Sequence, residues 1–220
     1  MNENLTEIVV ILDKSRTMEL LADDMIQIYN SFLKQQKEIK GEAILTTVLF
    51  NDTYKLLHDR AAIKDAKPVT KKEYIAKGNT ALLDAVGKTV NDIGFKLYNT
   101  SEGDRPCQII FFIIANGDDN ASKVYSPEKV KGMIELQKKT YGWEFVFMGA
   151  NMDSVSTASS ISISKSMAFD IAGDAEGFFC AQEAMSAAIN NLRRYKSVIS
   201  KEGEDFRRKI KKPKKKKQIL

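Results

Sequence analysis

The chain has 220 residues, 43% apolar and 29% charged, the proportions of an ordinary globular protein with length enough for one core without disulfides. Its net charge of +5 belongs to its end: residues 207–220 carry nine of the 34 basic side chains and no acid, leaving 25 basic against 29 acidic elsewhere, a balance that argues against a nucleic-acid-binding core. His58 is the single histidine, Cys107 and Cys180 are isolated, and the longest apolar run, Ile109 to Ala115, falls far short of the about 20 residues of a membrane span, so multi-histidine zinc sites, a disulfide framework and a transmembrane helix are excluded.

The opening Met1-Asn2-Glu3-Asn4 is polar and lacks the basic-then-apolar pattern of a secretory signal, so a cytoplasmic protein is expected. Glu7 to Asp13 is a β-branched run, apolar on both faces, as in a buried parallel strand. Leu21, Met25, Ile28 and Phe32 follow at helical spacing, and Gly41 stops that helix. Ala43 to Phe50 reads as a second strand, Asn51-Asp52 as a turn and Thr53 to His58 as a third strand, closing a hairpin. His58, beside Asp59 and Arg60, is expected to face solvent. Residues 60–77 are polar, lysine-rich and contain Pro68, the composition of a loop.

Leu83, Val86, Val90, Ile93 and Leu97 mark the next helix. Cys107 to Ala115, the most apolar strand, is expected at the centre of the sheet. Ser126-Pro127-Glu128 is a helix start, with Val130, Met133 and Leu136 or Gln137 following on one face. Trp143 to Met148 reads as a fifth strand, Ser154 to Ser159 as a short helix and Ser166 to Ile171 as a weak sixth strand. A last helix runs over roughly residues 175–200. Met25, Met133, Met148, Met185 and both cysteines are expected to pack in the core.

Strands alternating with helices predict a three-layer α/β sandwich, a Rossmann-like fold with a six-stranded, mostly parallel sheet covered on both faces. The hairpin places strand three beside strand two, and right-handed crossovers give the order 3-2-1-4-5-6 with strand three antiparallel at an edge. One domain is expected over residues 1–203. The basic tail, 204–220, is expected to be disordered and dispensable for folding, with non-specific contact to nucleic acid or acidic surfaces as its one available chemistry, because no aromatic residue interleaves with its lysines.

Ligands of such sheets sit at the carboxyl ends of the strands. Three polar clusters fall there: Asp13-Lys14-Ser15-Arg16-Thr17 after strand one, Gly78-Asn79-Thr80 before the second helix, and Asn116-Gly117-Asp118-Asp119-Asn120 after strand four. Short oxygen-bearing side chains on three loops suit a hard cation such as Mg2+. The bland alternatives are turn capping by Asp13 and Asn116 and helix capping by Thr80. A calcium-loop reading of Asp118-Asp119-Asn120 fails on the spacing of its glycine and terminal Glu.

These motifs resemble the von Willebrand factor A (vWA) domain and its metal-ion-dependent adhesion site (MIDAS), nearest to the short, single-domain intracellular versions of bacteria and their phages. The family's Asp-x-Ser-x-Ser reads Asp13-Lys14-Ser15-Arg16-Thr17 here, its Gly-x-Thr loop reads Gly78-Asn79-Thr80, and its apolar strand ending in Thr-Asp-Gly reads Ile114-Ala115-Asn116-Gly117. The resemblance implies that Ser15, Thr17 and Thr80 offer hydroxyls to Mg2+, that Asp13 acts mainly through water and as the negative charge, and that Asn116 stands where the family has a second Asp. Arg16 occupies a position that is commonly small. The site then holds one carboxylate, and Mg2+ binding no tighter than the millimolar range is expected. A tight conventional site, a weak one completed by a partner's carboxylate, and a metal-free relic all remain open.

By the same resemblance the chain is a protein-protein interaction module without enzymatic turnover, its partner bearing an exposed Asp or Glu. The alternatives are a metal-independent scaffold that uses the lysine-rich tail, and a hydrolase of the haloacid-dehalogenase-like kind. That last chemistry needs a carboxylate where this chain has Ser15.

Overall fold

The computed structural model describes residues 1–194. Six strands form one sheet: β1 (Asn2–Asp13), β2 (Glu42–Phe50), β3 (Tyr54–Ala62), β4 (Pro106–Asn116), β5 (Glu144–Ala150) and β6 (Ala168–Asp170). Five helices cover it: α1 (Ala22–Glu38), α2 (Leu82–Tyr98), α3 (Pro127–Tyr141), α4 (Ser154–Ser160) and α5 (Ala175–Arg194). The order is β3-β2-β1-β4-β5-β6, with β3 antiparallel to β2 and the other pairings parallel. This is the expected three-layer α/β, Rossmann-like architecture. The helix residues expected beyond 194, and the tail 204–220, lie outside the described residues.

The alternation of a strand explains the two half-cores. Ile8, Val10 and Leu12 of β1 join Ile110, Phe112 and Ile114 of β4 against α1 and α5. Val9, Ile11, Phe111, Ile113 and Ala115 face α2, α3 and α4 on the other side. Both faces of β1 and β4 are therefore apolar, which is why neither strand shows a polar stripe in the sequence. Phe111 stacks on Phe145 and Trp143, with ring centroids 4.7 and 5.3 Å apart.

Several expectations are corrected. β3 runs on to Ala62, and the connection after it, a loop as expected from residue 63 onward, sends apolar side chains into the core. Ile63, Ala66, Val69 and Tyr74 are buried in the core beside α1. Their spacing matches no helix or strand, so periodicity could not mark them. His58 does not face solvent: it is buried against α1, with its ring parallel to that of Tyr29 and its Nδ1 3.1 Å from Thr47 Oγ1. Tyr29 Oη lies 2.6 Å from the same Thr47 hydroxyl. On α3 the inward residues are Val130 and Ile134, whereas Leu136 is exposed. Cys180 is exposed and Cys107 half-buried.

The topology brings the carboxyl ends of β1 and β4 side by side. Parallel pairing places Leu12 opposite Ile114, so Asp13 and Asn116 leave the sheet at the same edge.

Candidate functional site

Asp13 is wholly buried at the end of β1. Its Oδ1 accepts the Ser15 backbone N–H at 2.7 Å and its Oδ2 accepts the Asn116 backbone N–H at 3.1 Å. The carboxylate thus closes the turn after β1 and pins it to the end of β4, so the capping reading of Asp13 holds. Burial pushes its carboxyl above the ordinary aspartate range, against the pull of those two donors. Tyr74, from the buried connection after β3, donates its hydroxyl to the Asp13 carbonyl at 2.6 Å.

Ser15 Oγ and Thr17 Oγ1 are 2.9 Å apart. The Thr17 hydroxyl donates to the Asn116 carbonyl at 2.6 Å. A hydroxyl has one proton, so Ser15 is the donor between the two. Each oxygen keeps at least one lone pair free. Ser15 is buried, and Thr17 is exposed in the short 3-10 helix Arg16–Leu21 that follows.

Asn116 uses both ends of its amide in bonds between loops. Its Nδ2 donates to the Thr17 carbonyl at 2.9 Å, and its Oδ1 accepts from Asn151 Nδ2 at 2.8 Å. Asn151 follows β5 and has a left-handed backbone, φ 52°, a conformation that Asn tolerates better than most residues. Three loops are stitched together by these amides. Asn151 was missed in the sequence, although the rule that singled out the ends of strands one and four applies equally to strand five. Tyr74 left no signal.

The Gly78-Asn79-Thr80 loop joins this group through its backbone, since Gly78 accepts the Arg16 N–H at 3.0 Å. Gly78 has φ +77°, and a Cβ there would stand 1.9 Å from Asp52 Oδ2, so any side chain would be strained and would push the Asp52 carboxylate aside. Thr80 is buried but does not cap α2. Its N–H is held by Asn120 Oδ1 at 2.9 Å, and the first turn of α2 is capped by Asp119, whose Oδ1 accepts the Leu82 N–H at 2.8 Å. The same Asp119 oxygen also accepts the Ser122 hydroxyl at 2.7 Å. Asp118 is exposed.

The structure therefore brings Asp13, Ser15, Thr17 and Asn116 into one hydrogen-bonded group, with Thr80 on the adjoining loop. The donors suit a hard cation in kind and spacing. Neighbouring oxygens around octahedral Mg2+, with bonds of about 2.0–2.1 Å, stand about 2.9 Å apart, the separation of the Ser15 and Thr17 hydroxyls. The charge is short. Asp13 is the one carboxylate in the group, and the described residues contain no cluster of three or more His, Cys, Asp or Glu able to hold a metal. Among them, no helix is long and apolar enough to cross a membrane.

No family model matches the sequence, and no curated protein matches it. Solved structures do match the fold. Proximal thread matrix protein 1 from the mussel byssus, in a form with a zinc-occupied MIDAS motif, superposes with a TM-score of 0.58 at 16% identity over 86% of this chain and 46% of its own. The pilus adhesin SpaC from Lactobacillus rhamnosus GG gives 0.62 at 11% identity, over 87% and 31%. A von Willebrand factor type A structure from Catenulispora acidiphila gives 0.53 at 16%, over 84% and 42%. The chain thus spans less than half the length of these proteins. At such identities the likeness concerns architecture, and the architecture is that of a vWA domain.

Proposed function

We propose that this vWA-like fold serves as a protein-interaction module, without turnover, that presents the loop face at the carboxyl ends of β1 and β4 to an acidic residue of a partner. The observation that carries the proposal is the Ser15–Thr17 hydroxyl pair, 2.9 Å apart over a wholly buried Asp13. Such a pair is a poor nucleophile unless a base takes its proton, and both oxygens of Asp13 already accept backbone N–H groups. The chain's single histidine, His58, is buried in mid-sheet against Tyr29 and Thr47. Ser15 also stands where haloacid-dehalogenase-like chemistry needs a carboxylate.

In this reading Ser15, Thr17 and Thr80 are the residues that would hold Mg2+, with Asp13 supplying negative charge from behind. Bound there, the ion would act as an electrostatic bridge to a carboxylate. Asn116 brings no charge, because its side chain is a neutral amide, and that amide already bonds to Thr17 and Asn151. The site is accordingly weak for the ion alone and gains from an anionic partner. Calorimetry on the full chain tests this. Mg2+ should bind no tighter than the millimolar range, and Asp13→Ala should abolish the binding. Micromolar binding, or millimolar binding indifferent to Asp13, overturns the assignment of these residues to one ion.

A further inference from the structure

Asn116 and Gly117 form the chain's single Asn-Gly dipeptide. The turn after β4 requires the glycine, because residue 117 has φ +95°, where other residues are strained. The dipeptide carries a chemistry of its own. The backbone nitrogen of Gly117 can attack the side-chain carbonyl carbon of Asn116. The new C–N bond closes a succinimide ring, and the amide nitrogen of Asn116 leaves as ammonia. Water then opens the ring. Cleavage at one carbonyl leaves aspartate at position 116, and cleavage at the other leaves isoaspartate, whose main chain runs through the former side chain. Glycine favours this reaction because no side chain hinders its nitrogen and its backbone rotates freely.

The folded loops hold both reacting groups still. Asn116 is the last residue of β4, and ring closure needs a rotation away from a strand's extended backbone. That rotation moves the Asn116–Gly117 peptide, which is held on both sides. Thr17 Oγ1 donates to the Asn116 carbonyl at 2.6 Å, and the Gly117 N–H donates to the Ala150 carbonyl at 3.0 Å. The attacking nitrogen must also lose its proton, and that proton lies in the second of these bonds. The side chain is held as well: its Nδ2 donates to the Thr17 carbonyl at 2.9 Å, and its Oδ1 accepts from Asn151 at 2.8 Å. Asn116 is buried, so little water reaches it. All four bonds reach across the chain, to the Arg16–Leu21 turn or to the end of β5 and the residue after it. Local opening of either partner releases the pair.

We infer that Asn116–Gly117 is a latent self-modification site, kept as the amide by its loop contacts and converted to aspartate and isoaspartate when those loops open. The inference rests on these contacts and on neither the ion nor a partner. Its products bear on the loop face all the same. Aspartate at position 116 adds a second carboxylate beside Asp13, and isoaspartate lengthens the main chain where β4 meets the neighbouring loops.

The test is peptide mapping by mass spectrometry of the full chain, aged in warm, mildly alkaline buffer with EDTA, with isoaspartyl methyltransferase labelling as a second readout. The chain unfolded in guanidinium chloride should convert at position 116. The folded wild type should convert at least about tenfold more slowly, because the reaction waits on local opening. Asn151→Ala removes the donor to Oδ1, and Thr17→Val removes the donor to the Asn116 carbonyl with little change of shape. Each should speed conversion of the folded protein severalfold. Thr17 is exposed, so its variant keeps the comparison if Asn151→Ala fails to fold. Ile134→Val, in the core under α3, lowers global stability instead and should leave the rate unchanged. Equal rates for the folded and unfolded wild type overturn the inference, and so do loop variants that convert no faster than the wild type. Acceleration by Ile134→Val equal to that of the loop variants also overturns it, because global unfolding would then be the gate. No conversion even in guanidinium chloride removes the site altogether. EDTA is present throughout and the readout is chemical, so each of these failures leaves the Mg2+ reading standing, and calorimetry of fresh protein tests that reading separately.

Discussion

Asn116→Asp is the change whose outcome the loop geometry determines most sharply. Without an ion it should destabilise the protein. The amide Nδ2 that donates to the Thr17 carbonyl at 2.9 Å becomes a carboxylate oxygen facing that carbonyl. Losing one partner of such a bond costs about 1–3 kcal/mol. The new charge also lies close to Asp13, whose Oδ2 already accepts the backbone N–H of residue 116 at 3.1 Å, and like charges add to the cost. With Mg2+ present the sign reverses. A carboxylate about 5 Å from the ion contributes roughly 2 kcal/mol per unit of ion charge at the dielectric of water halved to 40, and roughly 3 at an effective dielectric of 20. Tenfold in affinity needs only about 1.4 kcal/mol, so at least tenfold tighter Mg2+ binding is expected. Melting in EDTA should show the variant below the wild type, and melting against rising Mg2+ should raise the variant more steeply, as ligand linkage requires. Calorimetry gives the affinities directly. Equal Mg2+ affinities for the two proteins would mean that residue 116 does not face an ion position at all, and Asn116 would then be a loop staple alone.

Two other outcomes follow from single residues. Glu7 is wholly buried, its Oε2 has no partner among the described residues, and burial lifts its carboxyl to about 7 although Arg60 donates to its Oε1 at 3.1 Å. Its proton is therefore bound more tightly in the folded state than in the unfolded chain, so its contribution is fully present below about pH 4.5 and lost as the pH rises toward 7, by up to about 3 kcal/mol. Denaturation of Glu7→Gln beside the wild type across that window should show a flatter profile, and parallel profiles would refute the buried-acid reading. Gly78→Ala should lower stability by at least about 1 kcal/mol, because φ +77° is strained for alanine and the new methyl displaces the Asp52 carboxylate from the Asn79 N–H. An unchanged denaturation midpoint would show that this loop has more room than its backbone suggests.

Much of this protein was legible in one dimension. The alternation of β-branched runs with helical spacing determined the class, and the Asn51-Asp52 turn with the handedness of crossovers determined the sheet order. The ends of strands one and four pointed to Asp13, Ser15, Thr17 and Asn116 because parallel strands deliver their carboxyl ends to one edge. Ser126 and Pro127 marked the start of α3 correctly, since capping is a contact between residues three apart in sequence.

Tertiary structure decided what depends on distant partners. Nothing local marks the apolar residues after β3 as core, because they are irregularly spaced and gain their burial from α1. His58 looked like a solvated edge residue until Tyr29 and Thr47 were placed around it. Asn116 could be named from its strand, but the use of its amide could not: the bond to Thr17 spans 99 residues and the bond from Asn151 spans 35. Periodicity reports which face of an element turns inward. It is silent on which polar groups meet there, because hydrogen bonds and charges are settled by the few ångströms between side chains that folding alone brings together.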